Sequence, residues 1–101
     1  MAIKTIYGQV GYQGEVLGGT GFQSSIIAQG IYVIDFTQDF SSIPSVTVSP
    51  VDSNTNHNYI RDLSVNVPNN GQVTVYSFRK WAASDTTAID TIFNFIAVGE
   101  E

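Results

Sequence analysis

GIYVIDFTQDFSSIPSVTV, residues 30–48, is the stretch that decides the fold. In an extended chain successive side chains point to opposite faces. Tyr32, Ile34 and Phe36 therefore share one face, which reads as a buried one. Ile31 and Val33 occupy the other face before Asp35 interrupts it. Polar turn formers follow, and Pro44 stands just ahead of a second run, where its missing N–H costs nothing. In that run Val46 and Val48 point one way, while Ser45, Thr47 and Ser49 point the other. The stretch reads as strand, turn, strand, with its first strand apolar on both sides.

The same grammar extends in both directions. Gly8, Gly11, Gly14, Gly18, Gly19, Gly21, Gly30, Pro44, Pro50, Pro68 and Gly71 break the chain into short runs rich in Val, Ile, Thr, Tyr and Phe. Regular short strands between turn signals indicate an all-β sandwich or barrel. The expected strands are 3–10, 22–27, 31–36, 45–49, 58–67, 72–80 and 91–98, with a short extra one near 15–17. PNNG, residues 68–71, is the clearest hairpin turn, since Asn and Gly tolerate the positive φ of tight connections. AQG, residues 28–30, is a second. WAASDTTAID, residues 81–90, holds at most one turn of helix. The fold class is thus all-β: a single antiparallel β-sandwich domain over residues 1–101, with about six to seven strands. Residues 1–21 form a Gly-rich lead-in that can close as a β-hairpin.

The last strand, like the one after Gly30, is apolar on both faces. Phe93, Phe95 and Ala97 share one face, and Ile92, Ile96 and Val98 the other, with Asn94 the one interruption. A sandwich buries one face of each sheet. A central barrel position or the Gly-rich lead-in folded over could cover a spare face, and so could a subunit interface; large exposed apolar patches usually mark interaction sites, so self-association is the expectation. Ile31, Val33, Phe93 and Phe95 are the expected interface residues.

Composition narrows the functions. The chain is 43% apolar and 13% charged, so it folds with polar uncharged residues carrying its solubility. Nine acidic against four basic residues give a net charge of −5, which argues against nucleic acid and against anionic membrane surfaces. There is no cysteine, hence no disulfide, thiolate nucleophile or zinc–thiolate site. No run of apolar residues is long enough to insert in a membrane as a helix. The opening MAIKTIYGQV has no signal-peptide apolar core.

No catalytic constellation emerges. His57, the single histidine, lies in a polar loop with no orienting partner, and reads as a solvated residue or a ligand contact. Asp35 and Asp39 flank a strand end and read as a surface acid and a turn acid rather than a carboxylate pair. Residues 52–56, DSNTN, open like a calcium loop, but His57 stands where Gly is needed and Leu63 where Glu is needed. GGTG, residues 18–21, lacks the Lys and helix of a phosphate loop and reads as a tight turn with close backbone approach. Neither an enzyme nor a cofactor or metal protein is expected.

One polar constellation stands out. The loop holding Asp52, Asn54, His57 and Tyr59 leads into Arg61, and the hairpin about PNNG returns the chain to Arg79 and Trp81, beyond which lies Asp85. Pairing about that turn sets 58–61 opposite 78–81. Asp, Asn and Arg can hydrogen-bond sugar hydroxyls while an aromatic face covers the apolar side of the ring. Trp81 could equally plug the end of the sandwich.

Gly19-Thr20-Gly21-Phe22, the order of residues 30–48, and the closing Asp90 to Gly99 stretch with its FNFIAVG run together resemble C-terminal β-sandwich modules of phage tail fibres and bacterial collagen-like surface proteins. More distantly, Ile34-Asp35-Phe36, Pro44 and Val46, Arg61 and Trp81 fall in the order of H-type lectins. That resemblance implies a homotrimer that binds sugar near subunit boundaries, on a glycosylated cell surface or virion, through Arg61, the Asp52 loop and Trp81. The expectation is a multivalent, non-enzymatic carbohydrate- or receptor-binding module; the alternative is a structural knob that trimerises or caps a fibre without a small ligand.

Overall fold

The computed structural model describes residues 2–51, 60–80 and 86–101, with the backbone alone at 60, 61, 80 and 86. Among the described residues nine strands run in chain order: β1 Ile3–Val10, β2 Val16–Gly19, β3 Phe22–Ala28, β4 Ile31–Phe36, β5 Ser45–Val51, β6 Ile60–Asn69, β7 Gln72–Lys80, β8 Thr86–Ala88 and β9 Ile92–Glu100. They form two antiparallel sheets. One has the order β2-β1-β9-β5; the other has β3-β4-β7-β6, with β8 also pairing β7. We call them sheet A and sheet B.

β1, β4 and β7 run as the alternation requires. β2, whose four residues end at Gly19, is the short extra strand expected near 15–17, and the addition is β8, which forms where at most a turn of helix was expected. β1 and β2 do close as a hairpin, and β1 is an interior strand of sheet A rather than loose lead-in.

The core lies between the sheets. Sheet B supplies Phe22, Tyr32, Ile34, Phe36, Val73 and Val75; sheet A supplies Val10, Phe93, Phe95 and Ala97. Aromatic edges join the layers. Phe22 meets Phe95 at 4.7 Å between ring centroids, and Tyr32 meets Phe93 at 5.2 Å, both edge-to-face. Such pairs add about 0.5–1.5 kcal/mol beyond the area they bury. Gly8 makes room for this packing, since a Cβ there would sit 2.3 Å from the Phe22 ring.

The turns differ in what they ask of glycine. Gly30, in the β3–β4 turn, has φ +74° and leaves 2.7 Å between the site of a Cβ and the Ser77 carbonyl oxygen. The β6–β7 turn pairs Asn69 with Gln72, as the hairpin reading expected, but Gly71 is not in the left-handed region. Its bare Cα instead lets the Asp39 carboxylate lie against it, 2.2 Å from where a Cβ would stand. The segment 37–44 carries the chain from sheet B to sheet A. Phe40 anchors it, edge-on to Phe36, while the Lys4 ammonium donates to the Gln38 and Asp39 carbonyls and lies 4.5 Å from the centre of the Phe40 ring.

The two-sided strands now separate. Phe93 and Phe95 were expected at a subunit interface; they are buried in the core of the single chain, 0% and 1% exposed. The outward face of β9 is Asn94, Ile96 and Val98. On β4 the outward residues are Ile31 and Val33, both half-buried. Ile31 lies opposite Tyr76, and Val33 lies between Ser25 and Thr74, so interior position alone shields part of that face.

Candidate functional site

Of the expected sugar contacts, Asp52, Asn54, His57, Tyr59, Trp81 and Asp85 lie outside the described residues. The backbone register that motivated them is observed: Ile60 pairs with Lys80, and Arg61 with Arg79. The Arg79 side chain is half-buried. Asp35 accepts a hydrogen bond from Gln72 Nε2 at 3.1 Å, and Asp39 covers Gly71, so each carboxylate serves a turn or a strand neighbour. The GGTG turn is tight, with Gly19 and Gly21 at φ +92° and +88°.

A different place in the fold has the geometry of a binding site. A groove of about 460 Å³ crosses the outer face of sheet A, within the usual size range of ligand pockets. β1 contributes Tyr7, Gly8 and Gln9, β2 contributes Gly18 and Gly19, and β9 contributes Asn94, Phe95 and Ile96. Its outward residues follow from the pleat. Phe95 and Val10 point into the core, so Tyr7, Gln9, Asn94 and Ile96 must point away from it.

Register puts like beside like. Tyr7 pairs with Ile96, making an apolar half in which Tyr7 is 65% exposed and Ile96 50%. Gln9 pairs with Asn94, and Gln9 Nε2 donates to Asn94 Oδ1 at 3.0 Å. That bond fixes both carboxamides. It leaves the Gln9 carbonyl oxygen, its second N–H and both N–H groups of Asn94 outside that bond. Gly18, opposite Gln9 on β2, presents bare peptide. Among the described residues, no charged side chain lines the groove.

Sequence reasoning passed over this site although one signal was available. Between Ile92 and Val98, Asn94 is the single polar residue. A polar interruption on one face of a two-sided strand marks the wet face. Its partner Gln9 lies 85 residues away, so pairing of the two strands had to be known first.

Among the described residues, the one tyrosine with a strongly raised pKa belongs to the scaffold rather than the groove. Tyr32 is buried, its hydroxyl donates to the Tyr12 carbonyl at 3.0 Å, and it accepts from the Thr91 N–H at 3.0 Å. Burial pushes its pKa up to about 12; the Thr91 bond opposes this, and the charges of Asp90 and Glu15 reinforce it. The phenol is neutral at physiological pH and ties the β1–β2 turn to the start of β9. Asp90 Oδ1 accepts from the Gly30 N–H at 2.9 Å, fastening the β3–β4 turn to the same segment.

Among the described residues, no three His, Asp or Glu side chains gather as a metal site, and no helix is long and apolar enough to cross a membrane. The chain matches no family model, no curated protein and no solved structure.

Proposed function

We propose that the protein is a non-catalytic recognition module that binds a neutral saccharide in the groove of sheet A. The observation that carries the reading is the pairing of an exposed tyrosine face with a mutually fixed Gln9–Asn94 carboxamide pair in an uncharged groove. A sugar ring has an apolar face and a rim of hydroxyls. Tyr7 and Ile96 suit the first, and the amide donors and acceptors suit the second. The uncharged lining and the net charge of −5 argue for a neutral ligand over a phosphorylated or carboxylated one.

A shallow groove makes few contacts, and desolvating hydroxyls offsets much of the hydrogen-bond gain, so single-site binding is weak. Avidity then comes from several copies. The outward face of sheet B, centred on Ile31, Val33 and Tyr76, supports such a seam, since it lies on the opposite side of the sandwich and leaves the groove open. Three copies is the arrangement that the likeness to tail-fibre modules and H-type lectins favours.

The test is a glycan array with the purified chain, repeated with Tyr7→Ala and Asn94→Ala. Binding to neutral glycans that both variants lose, with the far-UV spectrum unchanged, is the expected result. Binding lost instead in Trp81→Ala and Arg61→Ala would move the site to the other end of the β6–β7 hairpin. Silence across the array, with light scattering showing a stable oligomer, would favour the structural knob.

A further inference from the structure

Gly18 is the glycine that the fold itself does not explain. The chain has nine glycines, and at eight of them an added Cβ would approach another atom to 2.8 Å or closer. Gly14, Gly19, Gly21 and Gly30 also have positive φ. At Gly18 neither condition holds: φ lies outside the left-handed region, and nothing stands within 4 Å of a Cβ. The residue sits in β2, at the edge of sheet A, opposite Gln9. Glycine in a strand forfeits packing and costs backbone entropy on folding. Its usual compensations are a bulge or the close approach of something to the backbone. The register shift in this pairing skips Leu17, the neighbour of Gly18 on β2, while Gly18 itself stays paired with Gln9 and, with φ outside the left-handed region, is not the glycine that a left-handed bulge requires.

Resting on the groove reading above, we propose that Gly18 is a specificity-determining contact: the flat peptide at Gly18 is the platform on which the saccharide lies. A side chain there would stand on the groove side next to Gln9, its cross-strand partner, where hydroxyls approaching the Gln9–Asn94 pair have to pass. The missing Cβ therefore selects for a ring that lies flat against β2 while its rim meets the carboxamides. A ligand held only by Tyr7 and Ile96 would not need it.

The experiment uses Gly18→Ala and Gly18→Val in the full chain, with immobilised neutral galactosides, glucosides, mannosides and N-acetylhexosaminides as probes. Both variants are expected to keep or raise the urea midpoint, because the Cβ meets nothing and the strand propensity improves. Affinity is expected to fall at least tenfold in Gly18→Val and less in Gly18→Ala. Gly18→Ala carries the test if Gly18→Val does not fold. Parent-like binding by Gly18→Val, with binding lost in Asn94→Ala, would overturn the platform and leave the groove reading standing. Binding that neither Gly18→Val nor Asn94→Ala affects, or no binding by the parent, would overturn both. If Gly18→Val lowers the oligomer mass in light scattering and leaves saccharide binding intact, the bare peptide meets a second copy and the proposal is wrong.

Discussion

Replacing Tyr32 by Phe removes one oxygen and should cost more than its size suggests. The ring stays, so its edge contact with Phe93 is kept. Two hydrogen bonds go: the one donated to the Tyr12 carbonyl and the one accepted from the Thr91 N–H. Tyr12 is 37% exposed, so water can serve its carbonyl, and that loss is about 0.5–1 kcal/mol. Thr91 is fully buried, and its N–H would be left without an acceptor, at about 1–3 kcal/mol. The total is about 1.5–4 kcal/mol, a large share of the ~5–15 kcal/mol that holds a domain of this kind. Urea unfolding followed by far-UV circular dichroism reads it as a midpoint lowered by about 1–2 M. A pH series supplies a second readout. The parent's Tyr32 has its pKa raised from 10.0 to about 12. The fold prefers the neutral phenol, so this contribution is intact below pH 10 and is lost as pH rises from 10 through 12. The loss is at most roughly 2–3 kcal/mol, at about 1.4 kcal/mol per pKa unit. The variant should show a flatter decline over that window. A stability within about 0.5 kcal/mol of the parent at neutral pH, or parallel declines from pH 10 to 12, would refute the reasoning.

Gly30→Ala should destabilise by about 2–4 kcal/mol, combining the strain of a positive φ with a Cβ pressed on the Ser77 carbonyl, as thermal melts would show. Ser77→Ala should have the opposite sign: its buried hydroxyl oxygen has no hydrogen-bond partner among the described residues, so its removal should raise stability by about 1 kcal/mol in urea titrations. Val33→Asp puts a charge in the centre of sheet B's outward face and should abolish agglutination of glycan-coated beads, with light scattering reporting smaller particles or aggregate; unchanged agglutination and mass would place the seam elsewhere.

How far the sequence carries is clearest at β4 and β9. Alternation says which residues share a face, and Tyr32, Ile34 and Phe36 are buried together as it requires. It does not say which of two apolar faces is the inner one. On β9 that choice falls to what lies across the gap. Phe22 and Tyr32 supply aromatic partners for Phe95 and Phe93, and nothing among the described residues covers Ile96 as fully. The β6–β7 hairpin was legible from Asn and Gly, but the reason for Gly71 was not, because Asp39 reaches it from another part of the chain. β8 escaped notice because three residues are too few to show a period. The groove needed three strands to be neighbours, and only the Gln9–Asn94 rung, joining the first strand to the last, brings its two amides together.

That rung belongs to a ladder with a kinetic meaning. β1 and β9 pair along their length, from Ile3 with Glu100 to Val10 with Phe93, and the Glu101 N–H donates to the Ala2 carbonyl at 3.0 Å. The middle of sheet A is thus stitched from the two most distant segments, the slowest kind of closure for a chain searching at random. Joining residue 101 to residue 2 through a short linker, and opening the chain in the β6–β7 turn, would turn that ladder into a local hairpin. Such a permutant should refold faster than the parent in stopped-flow experiments. Equal rates would mean that the aromatic clasp between the layers, rather than the meeting of the ends, sets the pace.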